Sequence, residues 1–331
     1  MIIVRTPLRI SFVGGGSDIG AFYRKSPGRV VSSAIDKFVY VIVKGRFDEK
    51  IYINYSRKEC VNRVDEVRHD LVREAMRITG VSAGVEITTL ADIPSEGSGL
   101  GSSSSITVAL LHALYAYNNE LVTAERLARE ACEIEINILG KPIGRQDQYA
   151  AAYGGVNEFL FHPDDSVERR PVALSDGILR KFSSSLLLYF TGMTRNADTI
   201  LAEQVTNTEK LDRFTAMTRM VALVPEFVTA ICQEDLPACG ALLEENWNLK
   251  KQMASGISNP GINAMVDRAR KAGAIGAKIA GAGGGGFLVL LVPRDSQATV
   301  FTAMEGYREL PFMLERSGSK VIFDNREYPT K

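Results

Sequence analysis

Along the chain, apolar residues change their spacing several times, and each change predicts an element. Runs rich in Val, Ile and Tyr at Val30–Ala34, Phe38–Val43, Ile51–Tyr55 and Gly84–Thr89 predict strands. Val64–Thr79, closed by Gly80, predicts a helix that ends on a glycine. Ile106, Leu110, Ala113, Leu114 and Tyr117 recur at the helical period. A second helix starts at Thr123, a residue suited to an N-cap, and stops near Leu139 before Gly140. The second half differs in texture. A strand at Leu186–Phe190 leads into helical stretches from about Asp198 to Met253, and another helix follows Pro260. Two strands then enclose a glycine-rich segment, and a last strand lies near Val321–Phe323. The polar stretch HPDDSVERRP breaks the pattern, so the expected domains are residues 1–178 and 179–331. This is an α+β protein of two halves, with the cleft between them as the default ligand site.

The same periodicity separates two glutamates. At about 100° per residue, Glu133 falls among Arg126, Arg129, Glu130 and Asn137, a solvated face, with Arg129 four residues away. Glu135 falls among Ala124, Leu127, Ala128, Ala131 and Ile138, on the apolar arc. A carboxylate turned inward is costly unless it is paired or holds a metal. Glu135 is therefore a candidate functional residue, with a structural salt bridge as the other reading.

Composition narrows the field. The 331 residues carry 39 Lys+Arg and 39 Asp+Glu, a balance that does not suggest nucleic acid or an anionic membrane as partner. Four scattered cysteines and three histidines make a disulfide framework or a zinc site a poor fit. No basic N-terminal region precedes an apolar run, and no segment approaches membrane-spanning length, so a cytoplasmic protein is expected.

Three dissimilar glycine-rich stretches carry the chemistry: PLRISFVGGGSD at Pro7–Asp18, PSEGSGLGSSSS at Pro94–Ser105 and KIAGAGGGGF at Lys278–Phe287. The second leads straight into a helix, whose unpaired amides and positive dipole end attract phosphate. Its serine hydroxyls can bond phosphate or share magnesium with it. A serine-rich helix cap is the plainer reading. The P-loop pattern is not met, since no Gly-Lys-Ser/Thr follows. Dinucleotide binding also fails on context: Asp18 stands where pyrophosphate would lie, and the third stretch runs into the strand FLVLLV instead of a helix. The third stretch is better read as a tight strand–strand connection pressed against the second. Asp147, in GKPIGRQDQYAAAYGG, sits between a Pro/Gly turn and an Ala-rich stretch, as a cleft carboxylate or as a helix-start residue.

Together these motifs resemble the GHMP kinases, the family of galactokinase and of homoserine, mevalonate and phosphomevalonate kinases. All three family motifs occur in order over nearly the whole chain. Gly15 and Gly16 depart from the Glu-His of the galactokinase form. That Gly-Gly-Gly-Ser-Asp form, with GRQDQYAAAYGG, TGMTR at Thr191–Arg195 and NWNLKK at Asn246–Lys251, is most similar to the subgroup acting on D-glycero-D-manno-heptose 7-phosphate. The resemblance implies a ribosomal-protein-S5-like N-terminal domain and a ferredoxin-like C-terminal domain. It implies ATP and Mg²⁺, with Ser103 and Glu135 holding the metal. Asp147 would orient or deprotonate the attacking hydroxyl beside Arg9. Pro94, Gly97, Ser98, Gly99, Leu100, Gly101, Ser102, Ser103 and Ser104 would wrap the phosphates, and Gly283 and Gly284 would help close the site. Asp18, with Gly15 and Gly16, would face the sugar. A sugar phosphate needs a second anion site, for which Arg195, Lys250, Lys251, Arg24, Lys25 and Arg29 are candidates; for Lys250 and Lys251 a solvated helix face is the other reading. The expected partner is a small sugar phosphate, and a homo-oligomer is compatible with the sequence. Another sugar kinase of the family, acting on fucose or galactose, and a non-catalytic binding protein of the same fold stay open.

Overall fold

The computed structural model describes residues 1–94, 97–193 and 197–325. Its strands are β1 (Ile2–Val13), β2 (Gly28–Gly45), β3 (Ile51–Asn54), β4 (Lys58–Val61), β5 (Val85–Ala91) and β6 (Val156–Phe161). β7 (Val167–Pro171), β8 (Leu186–Phe190), β9 (Gly276–Ile279), β10 (Phe287–Leu291) and β11 (Lys320–Asp324) complete the set. The main sheet runs β11-β1-β2-β5-β3-β4, and β6 joins it through β2 and carries β7. β2 pairs with β1 along one edge. Its other edge takes β6 at Gly28–Ser33 and β5 at Val39–Gly45. The two runs predicted at Val30–Ala34 and Phe38–Val43 are thus one strand. Asp36 does not break it, because the Asp36 amide donates to the Met313 carbonyl at 2.9 Å and its carboxylate accepts from the Met313 amide at 2.9 Å.

Helices Asp70–Thr79, Ser102–Tyr117, Ala124–Cys132 and Gln146–Tyr153 contribute buried Val72, Leu110, Leu114, Leu127 and Tyr149 to the core of this sheet. The helix predicted over Val64–Thr79 is shorter than expected. Val64–Glu66 is a 3₁₀ turn, and the Arg68 and His69 amides donate to the Glu59 carboxylate at 2.7 and 3.1 Å, which delays the helix to Asp70. Gly80 does end it, at φ +74°.

The second half builds a three-stranded antiparallel sheet, β8-β10-β9. The chain at 308–310 runs along the free edge of β8, with the Phe190 amide donating to the Arg308 carbonyl and the Leu310 amide to the Leu188 carbonyl. Helices Leu211–Cys232, Leu236–Lys250 and Pro260–Lys271 bury Met217, Met220, Trp247 and Met265 against it. The boundary expected after residue 178 falls inside helix Asp176–Ser184, and Phe182 of that helix packs edge-on against Phe12 of β1. The last strand does not belong to the second half. β11 returns to pair with β1, matching Ile3 to Phe323 and Val4 to Val321.

One sequence expectation needs correction. Helix Leu211–Cys232 is, by length and composition, long and apolar enough to cross a membrane. Its apolar residues are used differently: Val224 and Phe227 pack into the main core, and Met217 and Met220 into the second.

Candidate active site

The three glycine-rich stretches meet, and the glycines are what allow it. A Cβ on Gly99 would lie 2.5 Å from the Ala280 carbonyl oxygen, and one on Gly286 would lie 2.5 Å from that of Ser98. Such contacts admit only glycine, so backbone packs on backbone where the second and third stretches touch. The third is a hairpin turn, since β9 and β10 are antiparallel neighbours. Arg9 ties in the first stretch. Its amide donates to the Leu100 carbonyl at 3.0 Å and its Nη1 to the Gly99 carbonyl at 2.6 Å.

Helix Ser102–Tyr117 starts from Gly101 at φ +78°, and no side chain caps its first turn. The reading of the serines as a simple cap is therefore not met. Ser105 Oγ donates to the Pro7 carbonyl, and Ser98 and Ser102 share a bond at 3.2 Å. Ser103 Oγ donates instead to Glu135 Oε1 at 2.5 Å. Leu100 is buried in the core, Pro94 is exposed, and the Gly284 amide is used by the Ile257 carbonyl at 2.8 Å, so Gly283 and Gly284 lie against Ile257.

Glu135 is fully buried and Glu133 is exposed, as the periodicity anticipates. The helix does not stay regular, however. After Cys132 it widens into a π turn over Glu133–Ile138, a distortion common at functional sites. The wider turn rotates Ile138 off the apolar arc, leaving it 47% exposed, which corrects its expected burial. Glu133 Oε2 accepts from the side-chain Nδ2 of Asn137. Around Glu135, Gln148 Nε2 donates to Oε2 at 2.7 Å, and the Lys141 ammonium stands 3.6 Å from Oε1. Burial pushes the Glu135 carboxyl up from its ordinary range, while Lys141 and the hydrogen bonds from Ser103, Ser104 and Gln148 pull it back.

Asp147 lies in the first turn of helix Gln146–Tyr153. Arg9 grips it with two bonds, Nε to Oδ1 at 2.6 Å and Nη2 to Oδ2 at 2.5 Å. This planar fork fixes the carboxylate's orientation in a way a single ammonium cannot. Both groups line a cleft of about 610 Å³, open solvent included, with Ser11, Gly15, Gly16, Asp18, Gln146 and Lys250. Asp18 accepts from the Gly16 amide at 2.9 Å and from the Gln146 amide at 3.1 Å. A Cβ on Gly144 would overlap the Asp18 carboxylate at 1.8 Å, so glycine is required there. Burial, and then the charge of Asp147, raise the Asp18 carboxyl above its ordinary value.

Two buried lysines close the back of the cleft. Lys250 donates to the Gly15 carbonyl at 3.1 Å and to Gln204 Oε1 at 2.8 Å, which removes the solvated-face reading. Lys278 donates to the carbonyls of Ser11 and Phe12 at 2.7 and 2.9 Å. Burial lowers Lys250 to about 8 and Lys278 to about 7, from an ordinary 10.5. Between these values and 10.5 the unfolded chain holds more protons than the folded one, so folding gains from these groups as pH rises. The thermal midpoint of the wild type should therefore climb relative to Lys278→Met from about pH 7 toward 10.5, the window in which Lys278 holds fewer protons folded than unfolded. Parallel midpoint curves would refute this.

Of the other basic candidates, Arg24 is exposed and pairs with Asp165 at 3.2 Å, Lys25 is exposed, and Arg29 pairs with Glu158 at 3.0 Å. Lys251 lies 6.0 Å from the Trp247 ring centroid. Arg195 lies outside the described residues. Sequence reasoning missed Gln146, Gln148, Lys141, Ser11 and Lys278. The one available signal was the pair of glutamines flanking Asp147, which reach opposite ways, to Asp18 and to Glu135.

Residues 62–155 match the sequence model of the GHMP kinases N terminal domain, and residues 227–308 that of the GHMP kinases C terminal domain. The D-glycero-alpha-D-manno-heptose 7-phosphate kinase of Campylobacter jejuni is 28% identical, over 96% of this chain and 98% of that protein. The L-fucokinase/L-fucose-1-P guanylyltransferase of Bacteroides fragilis is 29% identical over 89% of this chain, which spans only 35% of that protein. The crystal structure of a D-glycero-D-manno-heptose 1-phosphate kinase from Bacteroides thetaiotaomicron superposes with a TM-score of 0.82 at 26% identity, covering 98% and 100% of the two chains.

Proposed function

Because this chain belongs to the GHMP kinases, and is thus an ATP-dependent phosphotransferase of two-domain fold, we propose that it phosphorylates the anomeric C1 hydroxyl of D-glycero-D-manno-heptose 7-phosphate. The product is the 1,7-bisphosphate, a precursor of nucleotide-activated heptose. The observation that carries this reading is the cleft holding the Arg9–Asp147 pair. Ser11 Oγ and Gln146 Oε1 line that cleft, are buried, and have no hydrogen-bond partner among the described residues. The Gln146 side chain is oriented by the bond that its Nε2 donates to Asp18 Oδ1, so the unpartnered Oε1 is an acceptor. Buried polar atoms left unpaired are costly, and the hydroxyls of a polyol would satisfy them. The 7-phosphate kinase of Campylobacter jejuni, similar over nearly its full length, supports the choice of heptose.

Phosphoryl transfer proceeds through a loose transition state, so positioning and charge neutralisation dominate catalysis. Asp147, fixed by Arg9, aligns the acceptor hydroxyl and takes its proton as the oxygen bonds to the γ-phosphorus and the bond from that phosphorus to the bridging oxygen breaks, releasing ADP. Asp18 and Gln146 hold the sugar, and the uncapped amides at Ser102–Ser104 face the phosphates of ATP. The hard oxygen donors of Ser103 and Glu135, one of them a buried carboxylate, suit Mg²⁺ shared with a nucleotide. When bound, Mg²⁺ neutralises charge on the phosphate oxygens.

The test is ADP release over a panel of heptose 7-phosphate, heptose 1-phosphate, fucose, galactose and mevalonate, with the product read by phosphorus NMR. A new anomeric phosphate on the 7-phosphate substrate is expected. Preference for fucose or galactose, or a new phosphate on any other carbon, would overturn the assignment.

A further inference from the structure

Lys141 stands on the short connection between the π turn and helix Gln146–Tyr153, beside Gly140, whose φ is +64°. Its amide donates to the Glu135 carbonyl at 2.9 Å, which folds the connection back over the carboxylate. Its ammonium donates to Ser103 Oγ at 3.2 Å and stands 3.6 Å from Glu135 Oε1. These are the two oxygens assigned above to the metal. The side chain is 24% exposed, whereas that of Glu135 is 0% exposed, so the amine reaches the buried carboxylate from the solvent side.

Resting on that metal assignment, we propose that the Lys141 ammonium and the divalent cation compete for Ser103 and Glu135. Lys141 is then a positioning residue: it holds the pair together until metal displaces it, and the displaced ammonium turns to the phosphates that arrive with the metal.

Charge and space both lead there. A carboxylate with no access to water needs a cation or several donors, and Glu135 has neutral donors in Ser103, Ser104 and Gln148 and this one ammonium. Ser103 Oγ sits between Glu135 Oε1 and Lys141 Nζ, so the hydroxyl donates to the first and accepts from the second. A divalent ion bound to both oxygens would place like charge against the ammonium within a few ångströms, which drives the ammonium away. A Cβ on Gly140 would meet nothing within 4 Å, so the space beside the connection is open at that position. Among the described residues no group of three or more His, Cys, Asp or Glu could hold a metal. A site of one carboxylate and one hydroxyl is weak without further charge, and is correspondingly sensitive to a competing cation.

The experiment measures Mn²⁺ binding by electron paramagnetic resonance at about pH 8, without nucleotide, in wild type, Lys141→Met and Glu135→Gln. Lys141→Met should bind Mn²⁺ roughly three- to tenfold more tightly, the range expected when one partly buried ion pair is removed. Alongside it, amine labelling of the wild type read by mass spectrometry should show Lys141 reacting faster when Mg²⁺ alone is added. Unchanged or weaker Mn²⁺ binding in Lys141→Met, or labelling of Lys141 indifferent to Mg²⁺, would overturn the competition. Glu135→Gln separates the two readings: if Mn²⁺ binding survives that change, the metal assignment itself is lost. If binding is lost there but Lys141→Met behaves as wild type, only the competition fails.

Discussion

Replacing Asp147 by asparagine is expected to lower turnover by about 10²- to 10⁴-fold while leaving ATP affinity within about twofold of the wild type. The substitution keeps size and shape but removes the charge that Arg9 grips and that is proposed above to accept the proton. Asp147 lines the acceptor cleft, whereas the uncapped helix start at Ser102 belongs to the second glycine stretch. The loss should therefore fall on turnover and spare nucleotide binding. Calorimetry with ATP, set against single-turnover ADP formation, makes the comparison. A variant that turns over at the normal rate would remove Asp147 from the chemistry. One that loses ATP binding in parallel would assign it to the nucleotide instead.

The second large effect is expected at Arg9. Arg9→Lys keeps the charge but not the fork, and a lysine cannot reproduce two parallel bonds to Asp147 together with a third to the Gly99 carbonyl. A loss of roughly 10²- to 10³-fold in turnover is expected, of the order seen when one preorganised charge-stabilising donor is removed. Because Arg9 also ties β1 to the second glycine stretch, the apparent affinity for ATP should weaken as well, unlike in Asp147→Asn. That contrast is the diagnostic part. If Arg9→Lys retained turnover within about fivefold, the bidentate grip would be ornamental and charge alone would suffice.

Much of this site is legible in the amino-acid sequence. Helical spacing distinguishes Glu135 from Glu133, because an amphipathic helix reports which side faces inward. The glycine stretches identify themselves by composition, and Arg9 lies where the first and second meet, Asp18 lines the same cleft as Arg9, and Ser103 reaches Glu135. Other features are hidden for a physical reason. The π turn adds a residue to one turn of helix, and no residue in EIEINI marks it as different from a regular amphipathic run. Lys141 resembles an ordinary loop lysine, since its role comes from a backbone bond to Glu135 and from the hydroxyl of Ser103 on another helix. Lys278 lies in an apolar strand, where its burial is tolerable only because two carbonyls of β1 converge on its ammonium.

The α+β class, the glycine stretches where backbone packs on backbone, and the inward turn of Glu135 are thus all legible in the chain itself. These follow from periodicity and from glycine's freedom, which are local properties. Folding in three dimensions set which strands share a sheet, including the return of β11 to β1 across the length of the chain. It also decided which lysines are buried, and which hydroxyl and amide face each carboxylate. Those outcomes depend on contacts between residues far apart in the chain, and no local spacing encodes them.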